Sequence, residues 1–345
     1  MGAERIRALA RRPIVVAPMG GGPSNPALVV AAADAGALAF LAAGYKSAEA
    51  MREEIRVVRN STSGAFGVNI FVPGAPASEP EAIGRYVASL ALDAAALNAT
   101  LGDAVWDDDH WSAKLSALLA DPPPIVSFTF GCPPREIVEA FQAAGSVVAV
   151  TVTCPGEARL AADAGVDCLC VQGTEAGAHR GTFTNDGDAQ TGRDLGTLIS
   201  QTARVTDLPL IAAGGIMSAS AVAAVLHAGA VAAQCGTAFL RCPESGAHPA
   251  HKAALVDGRF GSTALTRAFS GRPARGLANQ FMADHPDAPA AYPEINNATR
   301  PLRAAAAKVG DVNRMSLWAG SGFKKALARP AGEIVDLLWP EHGRR

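Results

Sequence analysis

The chain has 345 residues, 49% of them apolar and 18% charged, with a formal net charge of −2. This composition supplies a sizeable core and excludes intrinsic disorder. The near-neutral charge, with scattered arginines and only a short terminal Arg344-Arg345 pair, gives no electrostatic footprint for nucleic acid or an anionic membrane face.

Taken in chain order, the N-terminal residues 1–7 lack an apolar run after their charges, which argues against a signal peptide. The longest apolar stretch, 27–43, is broken by Asp34 and Gly36 and reads as helix, turn and strand rather than a membrane span. A cytoplasmic protein is expected.

The repeated unit is a short β-rich apolar run, a Gly- or Pro-marked loop, then an Ala-rich helical stretch. The first run is 13–17; its loop, Pro18 to Ser24, leads to Asn25 as helix cap and Pro26 as first helical residue. The runs that follow are 38–42, 65–71, 125–130, 147–152, 168–172, 210–213 and 231–235. Eight such runs with helical material between them predict an α/β fold, a (β/α)8 TIM barrel, with an open doubly wound sheet as the alternative. Residues 1–72, 125–240 and 310–345 are assigned to the barrel. The long segments 73–124 and 241–309, inserted after the third and eighth strands, are assigned to a smaller helical cap over the rim. The first contains helical stretches near 80–98 and 110–120, and a closing helix is expected over 322–338.

Glycines after the runs fall at the C-terminal rim, where barrel enzymes place their chemistry. Ala213-Gly214-Gly215 ends the seventh run and Gln234-Cys235-Gly236-Thr237 the eighth. Loops after strands seven and eight are the customary phosphate position, because glycine lets backbone N–H groups approach the oxygens. The first loop, Met19-Gly20-Gly21-Gly22-Pro23, is no dinucleotide fingerprint, and no GxxxxGK[ST] occurs, which favours a mononucleotide such as FMN.

After the sixth run comes Gln172 to Gly181, whose amide side chain at Gln172 offers a donor and an acceptor to a flavin edge. His179 in this loop is the candidate acid, base or donor to an anionic substrate, titrating near neutrality. The histidines at 110, 227, 248, 251, 285 and 342 are read as structural, and none has metal-site spacing. Asn69 in the third run needs polar partners, from a ligand or from neighbouring backbone. The six cysteines lack CxxC pairing and are read as buried free thiols, with Cys168 and Cys170 on one strand face. Trp318-Ala319-Gly320-Ser321 offers further N–H groups to a phosphate.

These motifs resemble the nitronate monooxygenases, formerly called 2-nitropropane dioxygenases. The likeness runs through Pro18 to Gly22, the Asn69 strand, Ser127 to Gly131, Gly173 to Gly181, Ala212 to Ile216, Gly236 to Leu240, Thr266 to Arg272 and Trp318 to Gly320. The resemblance implies FMN, with the isoalloxazine against Met19, Gly20, Asn69 and Gln172, and with Pro18, Ala213 and Cys235 also among the cofactor-binding residues. It implies a phosphate site at Gly177, Gly214, Gly215, Gln234, Gly236 and Thr237, closed by Trp318, Gly320 and Ser321. His179 matches the family's catalytic histidine, and Gly21 and Thr129 fall on the substrate side. Thr129 stands where many members carry a second His, and Ser321 where they carry Gln. The implied reaction is oxidation of an alkyl nitronate, propionate 3-nitronate or a nitroalkane among the candidates, by O2 to a carbonyl compound and nitrite. A homodimer is a further expectation. The alternatives are an NAD(P)H-dependent FMN reductase of enoyl thioesters or quinones, and a non-catalytic flavin-binding module.

Overall fold

The computed structural model describes residues 2–187 and 192–339; His342 and Arg344-Arg345 lie outside the described residues. Eight strands form a closed parallel barrel: β1 (Ile14–Val16), β2 (Leu38–Ala42), β3 (Phe66–Phe71), β4 (Ile125–Thr129), β5 (Val147–Val152), β6 (Cys168–Gln172), β8 (Leu210–Ala213) and β9 (Ala232–Cys235). Closure is set by β1, which pairs in parallel with β2 on one side and β9 on the other. An open sheet has two unpaired edges, so this pairing excludes that alternative.

Side-chain parity organises the barrel. Outward residues such as Val68, Phe128, Val150 and Val171 join the helices in one large core. Inward residues Val15, Leu38, Phe40, Ile125, Val147, Ala149, Cys168, Ile211 and Ala232 form a separate plug inside the barrel. Ile6, from the helix Gly2–Ala8, completes this inner cluster. Gly67 makes the layer possible: a Cβ there would lie 2.2 Å from the Phe40 ring. Above the plug, inward positions turn small or polar, and the site begins there. Cys168 and Cys170 share the inner face, as their alternation predicts; Cys132 and Cys154, however, are only half-buried.

The first helix after the rim starts as expected, with Asn25 Oδ1 accepting the Leu28 N–H at 2.9 Å. The first insertion divides. Helices Pro80–Ser89 and Ala91–Ala96 pack with Phe269, Phe281, Ile295 and Leu302 of the second insertion in a shared cap core. Helix Trp111–Ala120 instead buries Leu118 in the barrel's outer core and is the β3–β4 crossover. The second insertion is not wholly helical. Its strands β10 (Thr263–Thr266) and β11 (Ala274–Leu277) form an antiparallel sheet with β7 (Ala178–His179), a short strand of the loop after β6. The long closing helix is also shorter than expected: a 3-10 turn, Phe323–Lys325, is followed by helix Ala331–Leu338. Pro330 accounts for the break, since the residue before proline is disfavoured in helical backbone.

Candidate active site

One cavity of about 630 Å³ opens at the C-terminal ends of the strands, within the range of cofactor and small-ligand sites. Every candidate residue named from sequence lines it except Ser321. Ser321 is exposed beside this end, and its N–H is already bonded to Glu175 O at 3.0 Å.

The floor is built from inward positions one turn of the pleat above the plug. Asn69 Nδ2 donates to Ser127 O (3.1 Å), Ser127 Oγ (2.9 Å) and Thr129 Oγ1 (3.0 Å). Neighbouring protein therefore satisfies the amide nitrogen, and only the Asn69 oxygen is left to face a ligand. Thr129 belongs to this same network, 3.4 Å from Thr151 Oγ1. Gln234 Nε2 donates to Cys170 Sγ at 3.2 Å. Cys235 points the other way, its side chain in the outer core, so only its backbone reaches the cavity.

At one pole, Gly214 and Gly215 have φ of +130° and +68°, a conformation that favours glycine. Thr237 starts a 3-10 turn and accepts the Gly320 N–H at 2.9 Å, tying the loop after β9 to the Trp318–Gly322 segment. Among the described residues, the N–H groups of Gly215, Gly236 and Thr237 engage no protein acceptor. Converging free N–H groups of this kind fit a phosphate. Gly177 lines the cavity, and it also meets a demand of the fold. A Cβ there would sit 2.5 Å from Gly320 N and 2.6 Å from Ala319 C, so the glycine permits two protein loops to touch.

His179 is held from several sides. It sits on β7 opposite Ala274 of β11, and the next N–H, of Arg180, donates to Pro273 O at 2.7 Å. The Arg180 guanidinium donates to Gly173 O (2.6 Å) and Gln172 O (3.2 Å). The Gln172 amide clamps the same loop, donating to His179 O (3.0 Å) and accepting from Gly181 N (2.8 Å). One N–H and one lone pair of Gln172 remain for a ligand. Ala178, with φ of 61°, occupies the left-handed region at a cost of about 1–2 kcal/mol, which this lattice of bonds sustains.

The imidazole stands in an aromatic box, with ring centroids of Phe130 at 5.8 Å and of Tyr292 and Trp318 each at 5.6 Å. Its Nε2 is 2.8 Å from Ser270 Oγ. Burial first, then the positive charges of Arg272 and Arg303, push its pKa down to about 3. The ligand-free ring is therefore neutral across physiological pH, which corrects the expectation of a group titrating near neutrality.

Several cavity residues escaped the sequence reading. Tyr45 and Arg303 line the cavity, as do Phe130 of the Ser127–Gly131 motif and His251, which was read as structural, and Tyr292 and Ser270 stand behind His179. Most lie on the cap or on loops without a glycine signature. Ser270 and Arg272 did fall in the motif Thr266 to Arg272, whose purpose becomes visible only when β11 is seen beside β7.

The nitronate monooxygenase family model matches residues 4–341. The nitronate monooxygenase of Pseudomonas aeruginosa is 41% identical over 342 residues, covering 96% of this chain and 96% of the relative. A probable nitronate monooxygenase of Bacillus subtilis is 35% identical over 318 residues, covering 91% and 90%. The crystal structure of nitroalkane oxidase from Streptomyces ansochromogenes superposes with a TM-score of 0.95 at 48% identity, covering 97% of this chain and 96% of that one. With the sequence motifs and the barrel rim in agreement, the chain belongs to the nitronate monooxygenase family.

Proposed function

We propose that the chain binds FMN and oxidises alkyl nitronates or nitroalkanes, with O2 as oxidant, to a carbonyl compound and nitrite. The observation that carries this reading is His179, boxed by Phe130, Tyr292 and Trp318, in one cavity with the unengaged N–H groups of Gly215, Gly236 and Thr237. The family membership and the activities named for its relatives support the same reading.

FMN would be held by its phosphate at the N–H groups of Gly215, Gly236 and Thr237, with its ring above Asn69, Thr129 and Gln172. When bound, it supplies the electron-accepting ring. The chain's own residues do the rest. With Nε2 engaged by Ser270, the Nδ1 atom of His179 is the one left to take the α-proton of a neutral nitroalkane. The positive field of Arg272 and Arg303 favours the anion so formed, or one bound ready-made. Phe130, Tyr292 and Trp318 exclude water from the imidazole.

The test is to release the flavin by denaturation, identify it by chromatography, and assay nitrite from an alkyl nitronate in air without NAD(P)H. FMN and nitrite are expected. FAD as the sole flavin, or rapid bleaching by NAD(P)H with no nitrite, would contradict the proposal and favour a reductase.

A further inference from the structure

The cations around the cavity are not equivalent. Lys46 is neutralised by Glu54, its Nζ 2.7 Å from both carboxylate oxygens. Arg272 is locked as a structural group, its guanidinium 4.1 Å above the Phe130 ring and bonded to Thr182 and to Arg180 O. Arg303 differs from both. It projects from the cap helix Glu294–Val309 into the cavity, and its contacts are all neutral. Nε donates to Thr299 Oγ1 (3.2 Å), and Nη2 to Asn296 O (3.0 Å) and Asn296 Oδ1 (2.8 Å). Among the described residues Nη1 has no partner, and no carboxylate balances the charge. Its field reaches both His179 and Tyr45.

An unbalanced, half-buried guanidinium is costly to maintain unless an anion visits it. Its free edge suits a planar anion with two oxygens, the geometry for which arginine is better fitted than lysine. A second donor stands nearby. Tyr45 Oη accepts from Tyr292 Oη at 3.0 Å, so the Tyr45 proton is free to point at a ligand. Tyr45 also lines the cavity.

We propose that Arg303, assisted by the Tyr45 hydroxyl, forms an anion-binding subsite that grips a planar two-oxygen group of the substrate. The group is either the reacting nitronate or a carboxylate carried elsewhere on the same molecule. This inference rests on the proposed nitronate chemistry for its substrate, but not for the binding itself. It gives the cap a function in recognition: the helix that roofs the cavity supplies the charge that the barrel rim lacks.

The experiment uses the flavin-loaded protein and two inert planar anions, nitrate and acetate, titrated calorimetrically against wild type, Arg303→Gln and Arg303→Lys. Gln keeps a donor for Asn296 and removes the charge; Lys keeps the charge and removes the fork. The expected result is a roughly 10- to 100-fold weaker anion affinity in Arg303→Gln, as for loss of hydrogen bonds to a charged group, with partial recovery in Arg303→Lys. Flavin content and thermal midpoint, measured alongside, report whether the cap helix is intact. KM for a simple alkyl nitronate and for one bearing a carboxylate then separates the two sources. A rise with both assigns Arg303 to the nitronate group, and a rise only with the second assigns it to the carboxylate. Unchanged anion affinity in folded variants overturns the inference. Anion binding lost through Arg303 in a protein that never releases nitrite would uphold the subsite while removing the proposed reaction.

Discussion

The Nε2 atom of His179 lies 2.8 Å from the Oγ atom of Ser270, across the contact between β7 and the segment leading into β11. Ser270 is 1% exposed, and its hydroxyl also donates to Arg272 O at 3.2 Å. A hydroxyl has one proton. With that proton on the Arg272 carbonyl, Ser270 accepts from His179 Nε2–H, and the Nδ1 lone pair is the one left free.

Ser270→Ala should therefore loosen the tautomer and orientation of His179 without touching the cofactor pole. We expect kcat/KM for a neutral nitroalkane to fall about 10-fold, the value of one buried hydrogen bond, with flavin content unchanged. Steady-state kinetics and flavin absorbance check this. Unaltered kinetics would release Ser270 from the role.

Two histidines make stability sensitive to acid. Burial pushes His251 down to about 4, and burial with Arg272 and Arg303 pushes His179 down to about 3, both from an ordinary 6.5. The unfolded chain takes up protons near pH 6.5 that the folded chain refuses, so stability falls as pH drops below 6.5. The loss continues to about pH 4 for His251 and about pH 3 for His179. At pH 5 each should remove roughly 1–2 kcal/mol relative to pH 7.5. Urea unfolding at the two pH values should show a smaller loss in His251→Asn than in wild type; equal losses would contradict this.

The barrel was legible because buried parallel strands read as apolar runs followed by Gly- or Pro-marked loops. The rim residues Gly214, Gly236 and His179 followed from position alone. The β7–β11–β10 sheet was not legible, because β7 has only two residues and pairs with a segment almost a hundred positions away. Arg303 was missed because an Arg on a helix gives no sign of which face it occupies. Parity was not used for Cys235: its neighbour Gln234 points inward, so the Cys235 side chain points out and only its backbone lines the cavity.

Gly177 tests the contact between loops. Gly177→Ala places a Cβ 2.5 Å from Gly320 N, which the Thr237–Gly320 hydrogen bond holds in place. We expect about 1–3 kcal/mol lower stability even without flavin, the range for overpacking, together with weaker FMN binding. Denaturant melts of flavin-free and flavin-loaded protein separate the two effects. Full stability of the flavin-free variant would place the steric demand on the ligand instead.

Asp93 ties the two insertions together. Its carboxylate accepts from His285 Nε2 at 2.9 Å and from Arg314 Nε at 2.6 Å. Asp93→Ala leaves both donors without their partner inside the cap, and we expect a loss of about 2–3 kcal/mol, moderated because Arg314 is partly exposed. A change below about 0.5 kcal/mol in urea unfolding would show the network to be ornamental.

The central claim is that a neutral His179 works on a nitronate or its nitroalkane parent at a flavin site. It is tested most directly by nitrite release in air, without NAD(P)H, from matched nitroalkane and preformed nitronate, for wild type and His179→Asn. Loss of a positioned base typically costs ~10²–10⁴-fold in rate. The variant should lose nitroalkane turnover by that factor, keep oxidising the preformed nitronate within about 10-fold, and retain its FMN. Wild-type rates on both substrates in the variant, or no nitrite from either substrate with the wild-type protein, would contradict the account.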